Sequence, residues 1–401
     1  MNVALFSECY LPITNGVVTS MCTLRQALEE QGHHVAIFAP GDPLPDDGPD
    51  VYRLPALPFP RHPYHWARPF PRVPLNIDEL RLEVVHCQHP FTIGRLGAVF
   101  AARHALPMVY TAHTLYDTMA GQLRVPLARN LTEHAVRSLV RSFCQRAEIV
   151  VAPSAVTVRQ LRRNGVRSRM ELVPSSVIPP RCTVGGRARL RSSLGIDEHD
   201  RVILTLGRLG VEKRVDIVLE AMALLLRRRD LRSTTHLLVV GGGPCADDLR
   251  TQAADLGLGR HVHFAGSQPH NRIGDWYAAA DLFTLASPVE TQGLVVLEAM
   301  CCGLPVVLVD EGGAREFVRD GVDGLRVPLD AVALSEGWGY VLSDQDLRLR
   351  LAQEAQRRSG DFTPAAMAGR MLEVYRAAIE SRRIRTPRQR RPMRSRWRPR
   401  R

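Results

Sequence analysis

Two glutamates lie eight positions apart in a stretch whose pattern predicts a loop, a short helix and a buried strand. Glu290 falls in the loop and Glu298 in the helix, which Gly293 opens and Gly303 closes. The free amides and positive dipole end of a helix N-terminus favour an anion such as phosphate. Because a carboxylate lies on each side of this anion site, the stretch suits a ligand with a central phosphate and hydroxyls at both ends. A nucleotide-sugar has that arrangement.

The elements that must position these residues alternate between strand and helix along the chain. Strands are predicted at Val3–Phe6 and His34–Phe38, with a loop through Gly16 and a helix over 17–31 between them. Further strands are predicted at Val84–Cys87, Met108–Thr111, Ile149–Ala152, Val202–Leu206, Leu237–Val240, His261–Ala265 and Asp281–Leu285. This alternation predicts an α/β fold with doubly wound parallel sheets.

The chain length and a linker composition divide the sequence into two domains. A chain of 401 residues can form two sizeable cores, and residues 174–187 are rich in Pro, Ser and Gly. We expect a first domain over 1–178, a second over 188–362, and a last segment, 363–380, that crosses back to the first.

The E-x7-E spacing, with E-T-Q-G-L-V-V-L-E-A-M-C-C-G-L-P-V-V around it, resembles the retaining glycosyltransferases of family four. The resemblance implies the GT-B architecture, in which two Rossmann-like domains face each other across a cleft that binds a nucleotide-sugar donor. It also implies that Glu290 orients the hexose hydroxyls and that Glu298 holds the ribose. The alternative is an exposed loop glutamate and an ordinary helical glutamate, which any α/β protein could contain.

The same resemblance assigns roles to residues elsewhere in the chain. The run G-R-L-x-x-E-K resembles a donor phosphate clamp, with Arg208 and Lys213 on the diphosphate. Cations fixed in place would stabilise the charge that a leaving nucleoside diphosphate gains, so no metal is required. His113, just past the Met108 strand, would support the positive charge that develops on the sugar. The other residues expected at the donor are Gly16, Ser267, Gln292, Gly293, Leu294 and Val295.

Two further motifs have plainer interpretations. The sequence from Gly241 to Ala246 matches G-x-G-x-x-A, but no acidic residue ends the next strand to hold a ribose, so a dinucleotide site is not favoured. Asp344 and Asp346 form a D-x-D, yet they open a polar helix far from any strand end, which predicts helix capping rather than metal binding. We expect no cofactor and no metal.

The acceptor is indicated by the first domain. V-V-H-C-Q-H-P-F-T-I-G with Y-T-A-H-T-L-Y resembles the members of the family that glycosylate diacylglycerol-type lipids. His86 and His89 either line the acceptor side or have structural roles. An arginine-bearing helical stretch over 124–146 either lies on an anionic membrane or is a solvated face.

Charge and cysteine content suggest where the protein works. Residues 381–401 contain eleven arginines and no acid, so the rest of the chain is close to neutral despite a net charge of +12. We expect this tail to be disordered and to bind anionic lipid; nucleic acid is the less favoured partner, and a solubility extension is the alternative. The N-terminus does not resemble a signal peptide, no run is long enough to span a membrane, and eight scattered cysteines suggest buried thiols in a reducing cytosol. The expected location is therefore cytoplasmic or peripheral on the inner membrane face.

Together these features predict a retaining glycosyltransferase that moves a hexose from a nucleotide-sugar, expected to be UDP-linked, to a lipid-type acceptor. Three alternatives remain open: transfer to a soluble or polysaccharide acceptor, epimerisation of a sugar nucleotide, and binding to an anionic surface without catalysis. Glu290, Glu298, Arg208 and Lys213 are all present, which argues against the last.

Overall fold

The computed structural model describes residues 1–13, 15–58, 65–67, 77–114, 126–228, 231 and 234–385. Two parallel sheets dominate these residues, one with seven strands and one with six. The strands are β1 (Asn2–Phe6), β2 (His34–Pro40), β3 (Val51–Leu54), β4 (Ala56–Pro58), β5 (His65–Ala67), β6 (Val84–Cys87), β7 (Met108–Thr111), β8 (Ile149–Ala152), β9 (Met170–Leu172), β10 (Arg201–Leu206), β11 (Thr235–Val240), β12 (Val262–Gly266), β13 (Leu282–Leu285), β14 (Val306–Val309) and β15 (Gly324–Val327).

Helices connect the strands and cover the sheets. They are α1 (Gly16–Glu29), α2 (Thr92–Arg103), α3 (Pro126–Cys144), α4 (Ala155–Arg163), α5 (Gly186–Ser193), α6 (Val215–Leu225), α7 (Ala246–Asp255), α8 (Ile273–Ala279), α9 (Leu294–Cys301), α10 (Ala331–Ser343), α11 (Gln345–Ser359) and α12 (Pro364–Arg385). None of the helices in the described ranges is long and apolar enough to cross a membrane.

Both sheets have the order of a doubly wound fold. The first runs β3-β2-β1-β6-β7-β8-β9 and the second β12-β11-β10-β13-β14-β15, with every pair parallel. Strand order reverses beside β1 in one sheet and beside β10 in the other, and ligands of such sheets bind beyond the carboxyl ends of the strands at that point. The predicted fold class, two Rossmann-like domains in the GT-B arrangement, is confirmed.

The strands are buried because their sequences are apolar on both faces. In β14 all four residues are valine or leucine and all are buried, as a parallel sheet covered by helices on both sides requires. Each sheet therefore has a hydrophobic core on either face. Helix α12 packs Met371 and Tyr375 into the core that also contains β1 and α1, so the chain returns to the first domain.

Three local expectations differ from the structure. Gly16 is the first residue of α1 rather than part of the loop, because Asn15 caps the helix by accepting from the amide of Val18. The predicted linker, 174–187, is shorter than expected because α5 already begins at Gly186. The strands β3, β4, β5, β9 and β15 were not predicted; they are three or four residues long, which gives too few positions for a clear pattern.

The boundary predicted for the arginine-rich tail is also too early. Helix α12 continues to Arg385, and Arg382 donates to Glu148 with an Nη1–Oε1 distance of 3.2 Å. Arginine is a good helix former, so a run of arginines can extend a helix that is anchored by packing. The prediction of disorder is therefore wrong for 381–385, while residues 386–401 lie outside the described part of the chain.

Two smaller predictions can be compared directly. Asp344 caps α11, as predicted for the D-x-D motif, by accepting from the amide of Leu347 at 2.9 Å. The eight cysteines are all free thiols, but the expectation that they are buried is only partly correct. Cys9, Cys87 and Cys144 are buried, whereas Cys182 is exposed. Cys182 lies in the segment between the two sheets, where its backbone packs closely against Gly274 of α8 while its thiol is at the surface.

Candidate active site

The loop after β13 leads into the N-terminus of α9. Gly293 has a φ of 73°, a left-handed conformation that glycine adopts without strain. A Cβ on Gly293 would also lie 2.7 Å from the Cβ of Ala314, so the position lacks room for a side chain. The first-turn amides of α9, including those of Leu294 and Val295, have no partner within the helix. This end of α9 can therefore bind an anion.

Lys213 and Glu290 form an ion pair at the mouth of this site. Lys213 ends the short helical turn after β10, and Glu290 lies in the loop before α9. Both side chains are mostly buried, with 22% and 14% of their surface exposed, so solvent screens their attraction only in part. Arg208 is exposed and lines a cavity together with Lys213. The structure thus brings together the two cations and the first glutamate that the sequence predicts.

Glycines line the base of the site. A Cβ on Gly241 would lie 1.8 Å from the carbonyl oxygen of Gly207, and one on Gly242 would lie 2.5 Å from the Oγ of Ser267. The strand ends of β10, β11 and β12 can approach one another so closely because these positions lack side chains. Ser267 is exposed just past β12. Gly242 therefore leaves room for the Ser267 hydroxyl at this edge of the sheet.

Glu298 lies inside α9 and is only 7% exposed. Its carboxylate accepts a hydrogen bond from the Tyr277 hydroxyl at 2.7 Å. Burial raises the pKa of Glu298, and the bond from Tyr277 acts in the opposite direction. Sequence reasoning missed Tyr277, although a tyrosine on α8 that faces a buried glutamate is a usual partner for such a group.

His113 follows β7 on the first domain. Its Nε2 lies 2.7 Å from the Oε1 of Gln88, which follows β6. Burial lowers the pKa of His113 to about 4, so the imidazole is neutral near pH 7. A neutral ring can offer a lone pair to developing positive charge, whereas an imidazolium would repel it.

His86 and His89 are core residues. His86 is 1% exposed and lies 2.8 Å from the Tyr375 hydroxyl through Nδ1 and 2.7 Å from Thr111 Oγ1 through Nε2. The amide of Glu8 donates to His89 Nδ1 at 3.2 Å. Burial lowers the pKa of both imidazoles to about 3. These contacts favour the structural alternative for both histidines.

The loop before α9 also contacts the first domain. Thr291 Oγ1 donates to the carbonyl oxygen of His113 at 2.8 Å. Gln292 accepts from the amide of Ser175 at 3.0 Å and donates to its carbonyl at 3.2 Å. The Gln292 side chain, predicted to bind the donor, is therefore engaged in joining the two domains.

Two more contacts close the cleft at its edges. A Cβ on Gly16 would lie 4.0 Å from Leu294 Cδ1, so the start of α1 faces the start of α9. Glu316 accepts from the amides of Ala155 and Val156, at 2.7 and 2.9 Å, at the N-terminus of α4. Neither Thr291 nor Glu316 was predicted from the sequence, because a contact between domains leaves no periodic signal.

Family models match both halves of the chain. Residues 14–179 match the model described as Glycosyltransferase Family 4, and residues 186–358 match Glycosyl transferases group 1. An alpha-monoglucosyldiacylglycerol synthase of Streptococcus pneumoniae is 32% identical over 336 residues, which are 81% of this chain and 74% of that protein. A D-inositol 3-phosphate glycosyltransferase of Nocardia farcinica is 33% identical over 74% of this chain and 67% of its own.

Solved structures share the fold at low sequence identity. Anabaena HepE, crystallised with UDP and glucose, superposes with a TM-score of 0.73 at 20% identity, over 94% of this chain and all of that one. The sucrose-phosphate synthase of Thermosynechococcus elongatus gives a TM-score of 0.74 at 22% identity, over 94% of this chain and 99% of its own.

Proposed function

The chain belongs to glycosyltransferase family 4, and we propose that it transfers a hexose from a UDP-sugar to a lipid acceptor such as diacylglycerol, with retention of configuration. The observation that carries the proposal is the Lys213–Glu290 pair beside the N-terminus of α9, with His113 on the other domain close enough to be tied to the same loop. The acceptor class is supported by the diacylglycerol-specific name of the Streptococcus pneumoniae relative.

Positive groups would stabilise the leaving group. As the glycosidic bond breaks, the nucleoside diphosphate gains negative charge, which Arg208, Lys213 and the α9 amides would balance. Donors that are fixed in place need no reorganisation during the reaction, which makes this a large contribution to the rate. The amides concerned are those of Gly293, Leu294 and Val295.

Carboxylates would fix the two sugar rings. Glu290 would accept hydrogen bonds from the hexose hydroxyls, and because it pairs with Lys213, the hexose would lie next to the diphosphate. Glu298 would accept from the ribose, while Tyr277 holds its carboxylate in place. The base would lie beside Ser267, and Gly16 would face the diphosphate from the first domain.

The transfer itself would use the donor's own phosphate. The acceptor hydroxyl oxygen bonds to the anomeric carbon on the face from which the nucleoside diphosphate departs, and its proton passes to a departing phosphate oxygen. No side chain is assigned as a nucleophile. The neutral imidazole of His113 would support the positive charge that develops on the sugar ring.

We expect the reaction to need no divalent metal, since Arg208 and Lys213 supply the charge that a metal would supply elsewhere. Activity should therefore persist in excess EDTA and should not rise on addition of Mg²⁺ or Mn²⁺. A loss of activity in EDTA that Mg²⁺ restores would contradict the assignment of these two residues.

A soluble acceptor is the second candidate. The Nocardia farcinica relative, 33% identical, is named for transfer to D-inositol 3-phosphate, so the same family acts on acceptors that are not lipids. The two candidates are easy to distinguish, because a glycosylated lipid partitions into organic solvent and a glycosylated soluble acceptor stays in water.

The experiment is a donor and acceptor panel. The purified chain is incubated with radiolabelled UDP- and GDP-hexoses, with or without diacylglycerol in anionic vesicles, and the products are extracted into organic solvent. We expect label from a UDP-hexose in the organic phase only when diacylglycerol is present. Donor consumption with label left in water would favour a soluble acceptor, hydrolysis or epimerisation. No donor consumption, with any acceptor, would contradict the proposed transfer.

A further inference from the structure

His113 is held from two sides by residues that have no assigned role. Gln88 contacts its imidazole, and Thr291 contacts its backbone. The first of these residues belongs to the same domain as His113, and the second belongs to the donor loop of the other domain. The orientation of the ring and its distance from the donor loop are therefore set by different partners.

Gln88 is well placed to fix the tautomer of His113. Its side chain is 2% exposed, and its Oε1 lies 2.7 Å from the imidazole Nε2. An amide oxygen only accepts, so in this arrangement the Nε2 of the ring carries the proton. The ring is neutral near pH 7, so its lone pair is left on Nδ1. The Gln88 Nε2 is buried and has no acceptor among the described residues, so the bond to His113 is the polar contact that orients this side chain.

Thr291 fastens the donor loop to the same histidine. It lies between Glu290, which pairs with Lys213, and Gln292, which is bonded to Ser175. Its hydroxyl donates to the carbonyl oxygen of His113 at 2.8 Å. Glu290, the proposed hexose-binding residue, and Thr291 are therefore neighbours in one short loop. The bond from Thr291 sets the distance between this loop and His113.

We propose that Gln88 and Thr291 are positioning residues that act through His113, Gln88 by fixing its tautomer and Thr291 by tying it to the donor loop. This inference rests on the proposed glycosyl transfer and adds two residues to it. His113 is aligned with the donor only when the loop that holds Glu290 is docked on the first domain. Thr291 therefore couples closure of the cleft to assembly of the site.

If Thr291 had a purely structural role, its substitution would affect kcat, KM and stability differently. Glu316 also joins the domains, but its side chain does so through the amides of Ala155 and Val156 and forms no hydrogen bond to His113 or Thr291. If Thr291 only held the domains together, its loss would resemble the loss of Glu316. Glu316→Ala is therefore the matched control.

The experiment measures kcat and KM for the donor in Thr291→Val, Thr291→Ser, Gln88→Met, Gln88→Glu and Glu316→Ala. Valine matches threonine in shape but lacks the hydroxyl that donates to the His113 carbonyl, whereas serine keeps that hydroxyl. We expect Thr291→Val and Gln88→Met to lower kcat roughly tenfold, the equivalent of one hydrogen bond, with little change in KM. Thr291→Ser should restore most of kcat, and Glu316→Ala should act mainly on KM or thermal stability.

Two further readouts test whether the effects pass through His113. In a His113→Ala background, Thr291→Val and Gln88→Met should lower kcat little further, because the effects of coupled residues are not additive. Gln88→Glu should keep the acceptor for Nε2 but place a negative charge beside the ring, so the acidic limb of the kcat profile should move to higher pH. Full additivity with His113→Ala, or an unshifted profile in Gln88→Glu, would overturn the inference. These outcomes need an active wild type, so they are distinct from failure of the proposed function, in which the wild type itself transfers nothing.

Discussion

At the scale of residues, the ion pair between Lys213 and Glu290 is the central feature of the site. Each side chain partly desolvates the other, so the loss of one leaves an unpaired charge in a mostly buried place. Both residues are assigned to the donor, one to its phosphates and the other to its hexose. Their contact means that neither role can be altered without affecting the other.

We therefore predict that Lys213→Ala and Glu290→Gln each lower kcat by about a hundredfold or more, with a smaller change in KM. The double variant should lower kcat by much less than the product of the two single effects, because each single change already disrupts the ion pair. Steady-state kinetics with a saturating acceptor measures this. If either single variant kept full transfer activity, the donor assignment would be wrong.

Glu8 should make stability depend on pH. Burial raises its pKa to about 7, although the amides of Ile93 and Gly94 donate to its carboxylate. The folded state therefore binds a proton that the unfolded state has released, so this group lowers the stability as pH rises from about 4.5 towards 7. In Glu8→Gln the free energy of unfolding should depend less on pH over this range. The variant should be more stable than wild type at pH 8, by up to about 3 kcal/mol.

Urea unfolding at several pH values measures this difference. His89 and Cys9 lie beside Glu8, but burial lowers the pKa of His89 to about 3 and raises that of the Cys9 thiol, so neither group titrates between pH 5 and pH 8. Parallel curves for the two proteins between pH 5 and pH 8 would show that the Glu8 carboxyl is not perturbed.

At the scale of elements, the two ends of α9 require glycine for different reasons. Gly293 and Gly303 have nearly the same φ, 73° and 72°. A Cβ would lie 2.7 Å from Ala314 Cβ at Gly293, whereas nothing is nearer than 3.9 Å at Gly303. Of these two glycines, only Gly293 combines a backbone conformation that is unfavourable for other residues with a lack of space for a side chain.

Gly303→Ala should cost about 1 kcal/mol of stability through backbone strain alone. Gly293→Ala should cost more, because Ala314 must also move, and it should weaken donor binding as the first-turn amides of α9 shift. Thermal melting with and without UDP separates the two effects. Equal losses of stability in both variants, with UDP still stabilising Gly293→Ala as it does wild type, would contradict this.

Sequence reasoning located the strands that carry the site and the ends of α9 because their signals are local. The apolar runs of β6, β7 and β8, and the glycines that bound α9, can be recognised without tertiary information. Thr291, Gln88 and Tyr277 could not be found in this way. Their roles depend on which strand ends and which domain lie opposite, and spacing in the sequence does not encode that.

At the scale of the whole molecule, positive charge is concentrated in the last residues of the sequence. Residues 386–401 contain eight arginines and no acidic residue. We propose that this segment binds anionic lipid headgroups, at about 1 kcal/mol for each basic residue near the surface. Such binding would bring the cleft to a membrane-dissolved acceptor.

A truncation after Arg385 should therefore bind anionic vesicles far more weakly than the full chain, and the difference should shrink at high salt. Its consumption of donor with a soluble acceptor analogue should be unchanged, since the site residues remain. Vesicle sedimentation together with donor turnover tests this. Equal sedimentation of both proteins would assign the tail another role, and the helix α3 could then be tested for membrane contact.

The anomeric configuration of the product tests the central claim most directly. A UDP-hexose whose sugar is α-linked is supplied with diacylglycerol, and the extracted glycolipid is examined by NMR at its anomeric proton. Attack on the leaving-group face, guided by His113 and Glu290, predicts an α-linked product. A β-linked product would show inversion, and would contradict the mechanism derived from this site.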